Sequence, residues 1–198
     1  MKISRRNLLV ASACCGALPG VARGEDYRTA ERSSGNPSAP VTAIEYFSLT
    51  CTHCAAFSRE TMPEVRSKLI EPGKLRMVYK DYPLDQVALT AAMVARALPP
   101  ERYEPFISAL FANQDRWAFA RGVNSTEELW KMGSLAGMNR KTFDSTINDE
   151  SLRAFVMQER EEGEKKYGVD STPTFIVNGH KHAGEMDFKG FEQLVATT

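Results

Sequence analysis

Residues 45–54 read EYFSLTCTHC and place two cysteines, two residues apart, at the junction of a strand and a helix. The β-branched and aromatic run at residues 41–47 predicts a buried strand, and apolar residues at helical spacing follow the second cysteine. A helix N-terminus favours an anion, because its N–H groups are unpaired and its dipole is positive there. We therefore expect Cys51 to have a lowered pKa and to be the attacking sulfur, and Cys54 to be the more buried, resolving thiol.

The rest of the chain places a long helical block between two strand-containing halves. The helix after the cysteines is predicted to end at Pro72-Gly73, and residues 75–79 predict a second strand. Residues 83–171 are largely helical in pattern, and Asn178-Gly179 predicts a tight hairpin between two late strands. The predicted order is strand, CxxC, helix, strand, helical block, strand, strand, helix.

The N-terminal residues 1–22 have the features of an export signal. A positive start leads into a short apolar run and then small residues, so we place the cleavage after Ala22. The pair Arg5-Arg6 indicates the twin-arginine pathway, and a general secretory signal or lipoprotein processing at Cys14 are the alternatives. We therefore expect the mature protein to be periplasmic.

The composition excludes several classes of function. The formal net charge is +0, so bulk electrostatics favours neither nucleic acid nor an acidic membrane. No stretch reaches the ~18 to 20 consecutive apolar residues of a spanning helix. Residues 23–40 are polar and predict a flexible lead-in, followed by one domain over residues 41–198. Removing the leader leaves only Cys51 and Cys54, which favours redox chemistry or a metal over a disulfide framework.

Residues 45–54, together with Thr172-Pro173 ahead of the predicted hairpin, resemble the DsbA family of exported thiol–disulfide oxidoreductases. The resemblance covers residues 41–197. It implies an α/β thioredoxin fold in which a helical insert, residues 84–168, separates the βαβ half from the ββα half. It also implies newly exported, cysteine-containing proteins as substrates, a DsbB-like membrane partner for reoxidation, and no cofactor.

The resemblance also implies roles for single residues. Pro173 resembles the family's cis-proline, and Thr172 before it would offer its N–H and C=O groups to a bound peptide. Glu45 resembles the buried acid that takes a proton from the resolving cysteine, and Lys80 is the predicted ionic partner of that acid. These positions complete the predicted site around the two cysteines.

Between the cysteines stands Thr52-His53, where many family members have Pro-His. As a donor or cation beside Cys51, His53 would stabilise the thiolate and hence the reduced form, which makes the disulfide a stronger oxidant. We therefore expect an oxidase that donates the Cys51–Cys54 disulfide, and we expect a monomer because no exposed apolar surface can be argued from the sequence. The alternatives are a reductase or isomerase on this fold, a metal-binding protein that adds the histidines of His180-x-His182 to the cysteines, and a glutathione-dependent transferase.

Overall fold

The computed structural model describes residues 26–196. The strands are β1 (Arg32–Ser34), β2 (Val41–Phe47), β3 (Leu75–Asp81), β4 (Thr174–Val177) and β5 (His180–Ala183). The α-helices are α1 (Thr52–Ala56), α2 (Met62–Val65), α3 (Gln86–Ala97), α4 (Pro100–Ala112), α5 (Gln114–Trp117), α6 (Ser125–Leu135), α7 (Arg140–Ile147), α8 (Glu150–Tyr167) and α9 (Phe188–Ala196). A 3-10 turn (Tyr27–Thr29) precedes β1, and π-helical turns at Phe57–Thr61 and Arg66–Ile70 continue α1 and α2.

The strands form one sheet in the order β1-β3-β2-β4-β5. Strands β2 and β3 are parallel, with Glu45 opposite Tyr79 and Tyr46 opposite Lys80. Strand β4 is antiparallel to both β2 and β5. Helices α3 to α8 lie between β3 and β4 in the chain. The arrangement therefore has the predicted α/β order, in which a helical insert separates a βαβ half from a ββα half.

An aromatic cluster fixes the cysteine-bearing helix to the sheet. The ring of Phe57, just after α1, lies 4.6 Å from that of Phe175 on β4 and 5.6 Å from that of Phe191 on α9, between centroids. All three side chains are buried, and such tilted and edge-on pairs add about 0.5–1.5 kcal/mol beyond the burial of their area. The packing therefore holds the start of the helix against the strand that follows Pro173.

The helical insert packs close to the same end of the sheet. Phe111 of α4 meets Phe47, the last residue of β2, edge-on with centroids 5.8 Å apart. Trp117 of α5 is buried, and its indole N–H donates to Leu110 O at 2.8 Å. The loop that joins β2 to α1 therefore runs beside α4 and α5.

None of the helices within residues 26–196 has the length and apolar character needed to span a membrane.

The predicted flexible lead-in is wrong for residues 26–34. Strand β1 pairs antiparallel with the edge of β3, and Arg32 is only 3% exposed. The buried guanidinium of Arg96 donates to the carbonyls of Arg28 and Ala30, both at 3.2 Å. The segment is ordered because it pairs the open edge of β3 and accepts hydrogen bonds from a buried cation. Its polar sequence carries no strand pattern, so the sequence gives no sign of this.

Candidate active site

Cys51 is the N-cap of α1. Its backbone is extended (φ −79°, ψ 121°), and its Sγ accepts a hydrogen bond from Cys54 N at 3.3 Å. The Cys51 carbonyl accepts from Ala55 N at 3.1 Å, which begins the helix. Both cysteines are free thiols, 7% and 0% exposed respectively. The strand-to-helix junction therefore places one sulfur at the helix N-terminus and the other beneath it, as the sequence predicts.

The two thiols have opposite acidities. The hydrogen bond from the Cys54 thiol lowers the pKa of Cys51 to about 5, with contributions from Thr172 and from the backbone N–H groups of Cys54 and His53, against the opposing effect of burial. Burial raises the pKa of Cys54 well above its ordinary value, and the neighbouring charges of Cys51 and Glu45 add to that rise. The site can therefore hold a thiolate at Cys51 while Cys54 keeps its proton.

Glu45 lies on β2 as a buried acid. Burial raises the pKa of its carboxyl to about 8, and the charge of Cys51 contributes to the shift. A charged Glu45 carboxylate in turn raises the pKa of the Cys54 thiol. A protonated Glu45 is therefore favoured while Cys51 is a thiolate.

The predicted pairing of Glu45 with Lys80 is wrong. Lys80 Nζ lies 2.9 Å from Glu159 Oε1 on α8. In the register of β2 and β3, Glu45 is opposite Tyr79 and Lys80 is opposite Tyr46. Because side chains alternate between the faces of a sheet, Lys80 points to the face opposite that of Glu45. Glu159 also forms an ion pair with Arg96, and Arg96 forms a second ion pair with Asp81.

The Thr172–Pro173 peptide bond is cis, as the resemblance implies. It places the carbonyl of Thr172 beside the reactive sulfur, where Cys51 Sγ–H donates to it at 3.3 Å. The Thr172 hydroxyl is buried and finds no hydrogen-bond partner in the described part of the chain. Gly184 N donates to Pro173 O at 2.8 Å, which ties the loop to the end of β5. The loop that contains Pro173 therefore lies directly beside the Cys51 sulfur.

The His53 side chain faces solvent. It is 68% exposed, and its Nδ1 lies 3.2 Å from Glu185 Oε2. The backbone N–H of His53 forms a hydrogen bond that helps to lower the pKa of Cys51. Glu185 follows the hairpin of β4 and β5 in the chain, and no spacing rule relates it to the cysteines. The predicted role of the imidazole therefore stays a prediction, and Glu185 is a neighbour that the sequence does not reveal.

Two other contacts of the cysteine loop come from the helical insert. Gln114 of α5 donates to Leu49 O and Cys51 O, and Asp85 accepts from the hydroxyl of Thr50. These residues are separated from the loop by tens of positions, so local patterns cannot find them.

The part of the chain that the structure describes has no group of three or more His, Cys, Asp or Glu side chains placed to hold a metal ion. His180 and His182 thus complete no such group with the cysteines.

Known proteins that resemble this chain agree with the interpretation of its CxxC motif. The sequence model of the family described as Thioredoxin matches residues 28–197. The crystal structure of alpha-DsbA1 from Wolbachia pipientis matches with a TM-score of 0.78 and 29% identity, over 84% of this chain and 89% of that one. A Rickettsia conorii protein named as a protein-disulfide oxidoreductase is 28% identical over 146 residues, or 73% of this chain and 52% of that protein.

The chain therefore belongs to the thioredoxin family, and within it to the DsbA-like proteins. The helical insert between the two halves of the sheet is the feature that its DsbA neighbours share. The chain spans about half the length of the curated Rickettsia relatives that it matches.

Proposed function

We propose that this protein is an exported thiol–disulfide oxidoreductase that acts as a dithiol oxidase. The supporting observation is the asymmetry of its thiols, with the pKa of Cys51 lowered to about 5 and that of Cys54 raised. A stable Cys51 thiolate stabilises the reduced protein, so the Cys51–Cys54 disulfide is a better electron acceptor. Lowering the pKa of Cys51 from 9.0 to about 5 favours the reduced form at pH 7 by at most ~3 kcal/mol, or ~60 mV.

The reaction begins with the protein oxidised. A substrate thiolate attacks Cys51 Sγ, a substrate–Cys51 disulfide forms, and the Cys51–Cys54 bond breaks with its electron pair leaving on Cys54. Cys54 takes a proton, for which the buried carboxyl of Glu45 is the nearby donor. A second substrate thiolate then attacks the substrate sulfur of the mixed disulfide, and Cys51 leaves as a thiolate. The substrate loses two electrons and gains a disulfide, and the cysteine pair is reduced.

The rim of the site is suited to extended peptides. The backbone of Thr172 borders the sulfur and can pair with a substrate strand. Its unpartnered hydroxyl can donate to the Cys51 thiolate once the Cys51 proton is lost. We infer that the substrates are unfolded, newly exported proteins with cysteines, that the working place is the periplasm, and that a DsbB-like membrane protein removes the two electrons. Residues 1–22, which carry the predicted export signal, lie outside the described residues.

The deciding experiment is the reduction potential of the Cys51–Cys54 pair, measured by equilibrating the protein in graded glutathione buffers. A potential near or above ~−180 mV supports an oxidase, and a potential near ~−270 mV assigns a thioredoxin-like reductase instead. Oxidation of a dithiol peptide, with Cys51→Ser as the inactive control, measures the same direction kinetically. A protein that forms no Cys51–Cys54 disulfide but binds a metal stoichiometrically through reduced thiols would overturn the proposal.

A further inference from the structure

The loop between β2 and α1 is held from the helical insert by the amide of Gln114. This side chain is buried on α5, and its Nε2 donates to Leu49 O at 2.8 Å and to Cys51 O at 3.0 Å. The amide therefore spans the carbonyls on either side of Thr50. Leu49 is itself buried, so its carbonyl would lose a partner without gaining water if the amide were removed.

A second side chain of the insert holds the residue before Cys51. Asp85 is the N-cap of α3, where its Oδ1 accepts from Ala88 N at 2.8 Å. Its other oxygen, Oδ2, accepts from Thr50 Oγ1 at 2.7 Å. The same hydroxyl lies 3.2 Å from Ser48 Oγ. One carboxylate thus connects the start of a helix in the insert to the cysteine loop.

We propose that Gln114 and the Asp85–Thr50 pair are positioning residues that hold Cys51 at the N-terminus of α1 and thereby stabilise its thiolate. This inference rests on the proposed function. One of the contacts that favour the thiolate is the 3.3 Å hydrogen bond from Cys54 N to Cys51 Sγ. Its geometry depends on the orientation of the Cys51 backbone, which Gln114 fixes at the carbonyl and Thr50 fixes on the preceding residue.

Without the Gln114 amide the carbonyls of Leu49 and Cys51 lose a donor, and without the Asp85 contact the Thr50 side chain is no longer held, so the backbone at Cys51 can reorient. The sulfur then moves relative to the N–H groups at the start of α1, and the thiolate loses part of its stabilisation. The disulfide form has no charge at Cys51, so it is less affected. The expected sign is therefore a less acidic Cys51 and a less oxidising disulfide.

The test compares folded variants by ultraviolet titration of the Cys51 thiolate and by equilibrium with glutathione. Gln114→Met and Thr50→Val should each raise the titration midpoint by about one pH unit and shift the glutathione equilibrium about tenfold toward the oxidised protein. Thr50→Ser keeps the hydroxyl and should restore both readouts. Gln158→Met makes the same chemical change on the exposed face of α8 and should match the wild type.

The outcomes separate this inference from the proposed function. If Gln114→Met fails to fold, the Thr50→Val and Thr50→Ser pair decides alone. Folded variants that titrate with the wild type, or a Thr50→Ser protein that behaves like Thr50→Val, would overturn the positioning role. The proposed function fails separately, if the wild-type protein exchanges no disulfides with a dithiol peptide, whatever the titration of Cys51.

Discussion

Replacing Glu45 by glutamine should make the stability of this protein less dependent on pH. Burial raises the pKa of the Glu45 carboxyl from 4.5 to about 8. Because the folded-state pKa lies above the unfolded value, the folded protein holds this proton more tightly. The stabilisation from that proton is complete below about pH 4.5 and is lost as the pH rises through about 8. Glutamine has nearly the same shape and no proton to lose.

The size of the effect follows from the shift. One pKa unit corresponds to about 1.36 kcal/mol, so a rise from 4.5 to about 8 costs the wild type at most ~5 kcal/mol above pH 8 and ~3 kcal/mol at pH 7. At pH 4 both side chains are neutral, and we expect Glu45→Gln and wild type to unfold alike. The advantage of the variant should therefore grow from near zero at pH 4 to several kcal/mol at pH 9.

The assay is urea unfolding of the oxidised protein from pH 4 to pH 9, since the disulfide removes the titrating Cys51 charge from both proteins. Without that charge the advantage should be slightly smaller, because burial is the larger cause of the shift and Cys51 the smaller. Glu60→Gln is the matched control, as that side chain is 74% exposed. A gap between Glu45→Gln and wild type that is constant with pH would refute the reasoning. So would a wild type more stable than the variant at pH 9, which would mean that a cation balances the carboxylate.

Three further results are expected from the structure. Thiolate absorbance of the reduced protein should rise with a midpoint near the Cys51 pKa of about 5, and Cys51→Ser should abolish that step; a midpoint near the ordinary value of 9.0 would contradict the geometry of the site. Arg96→Met should cost ~3–5 kcal/mol in urea unfolding, because it leaves Asp81 buried without its cation and Glu159 with Lys80 alone, whereas Lys165→Met, at an exposed pair, should unfold like the wild type. Gly163→Ala should lower the stability by ~1–3 kcal/mol despite its better helix propensity, because the added Cβ would lie 2.6 Å from the Tyr46 ring; equal or greater stability in thermal unfolding would show that the ring can move aside.

Sequence patterns predict those structural features of this protein that depend on residues close together in the chain. The position of Cys51 at a helix N-terminus follows from residues that are adjacent in the chain, and the same local geometry lowers its pKa. The hairpin at Asn178-Gly179 follows because both residues have positive φ, 53° and 81°, which these two residue types tolerate. In both cases the main energetic cause lies within a few residues of its effect, although Thr172 also helps to lower the pKa of Cys51 from 121 positions away.

The sequence fails where the partner of a group is distant in the chain. Gln114 reaches the Cys51 carbonyl across 63 positions, and Lys80 reaches Glu159 across 79. Strand β1 exists because β3 has an open edge, which the residues of β1 themselves do not encode. The Lys80 error has a simpler source: register decides which face a side chain takes, and no sequence pattern gives the register of two parallel strands separated by a helix.

Glu45 and Cys54 are both buried close to Cys51. A negative charge on one of these groups therefore disfavours a negative charge on the others. A thiolate at Cys51 raises the proton affinity of both the carboxyl and the second thiol. When the disulfide forms, that charge disappears, and Glu45 gives up its proton more readily. In the proposed reaction, opening the disulfide returns charge to the pair, and the carboxyl of Glu45 would supply the proton that the leaving Cys54 sulfur needs. The acidity of Cys51 and the elevated pKa of Glu45 are thus two effects of one arrangement, a charge stabilised at a helix N-terminus directly above groups that burial keeps neutral.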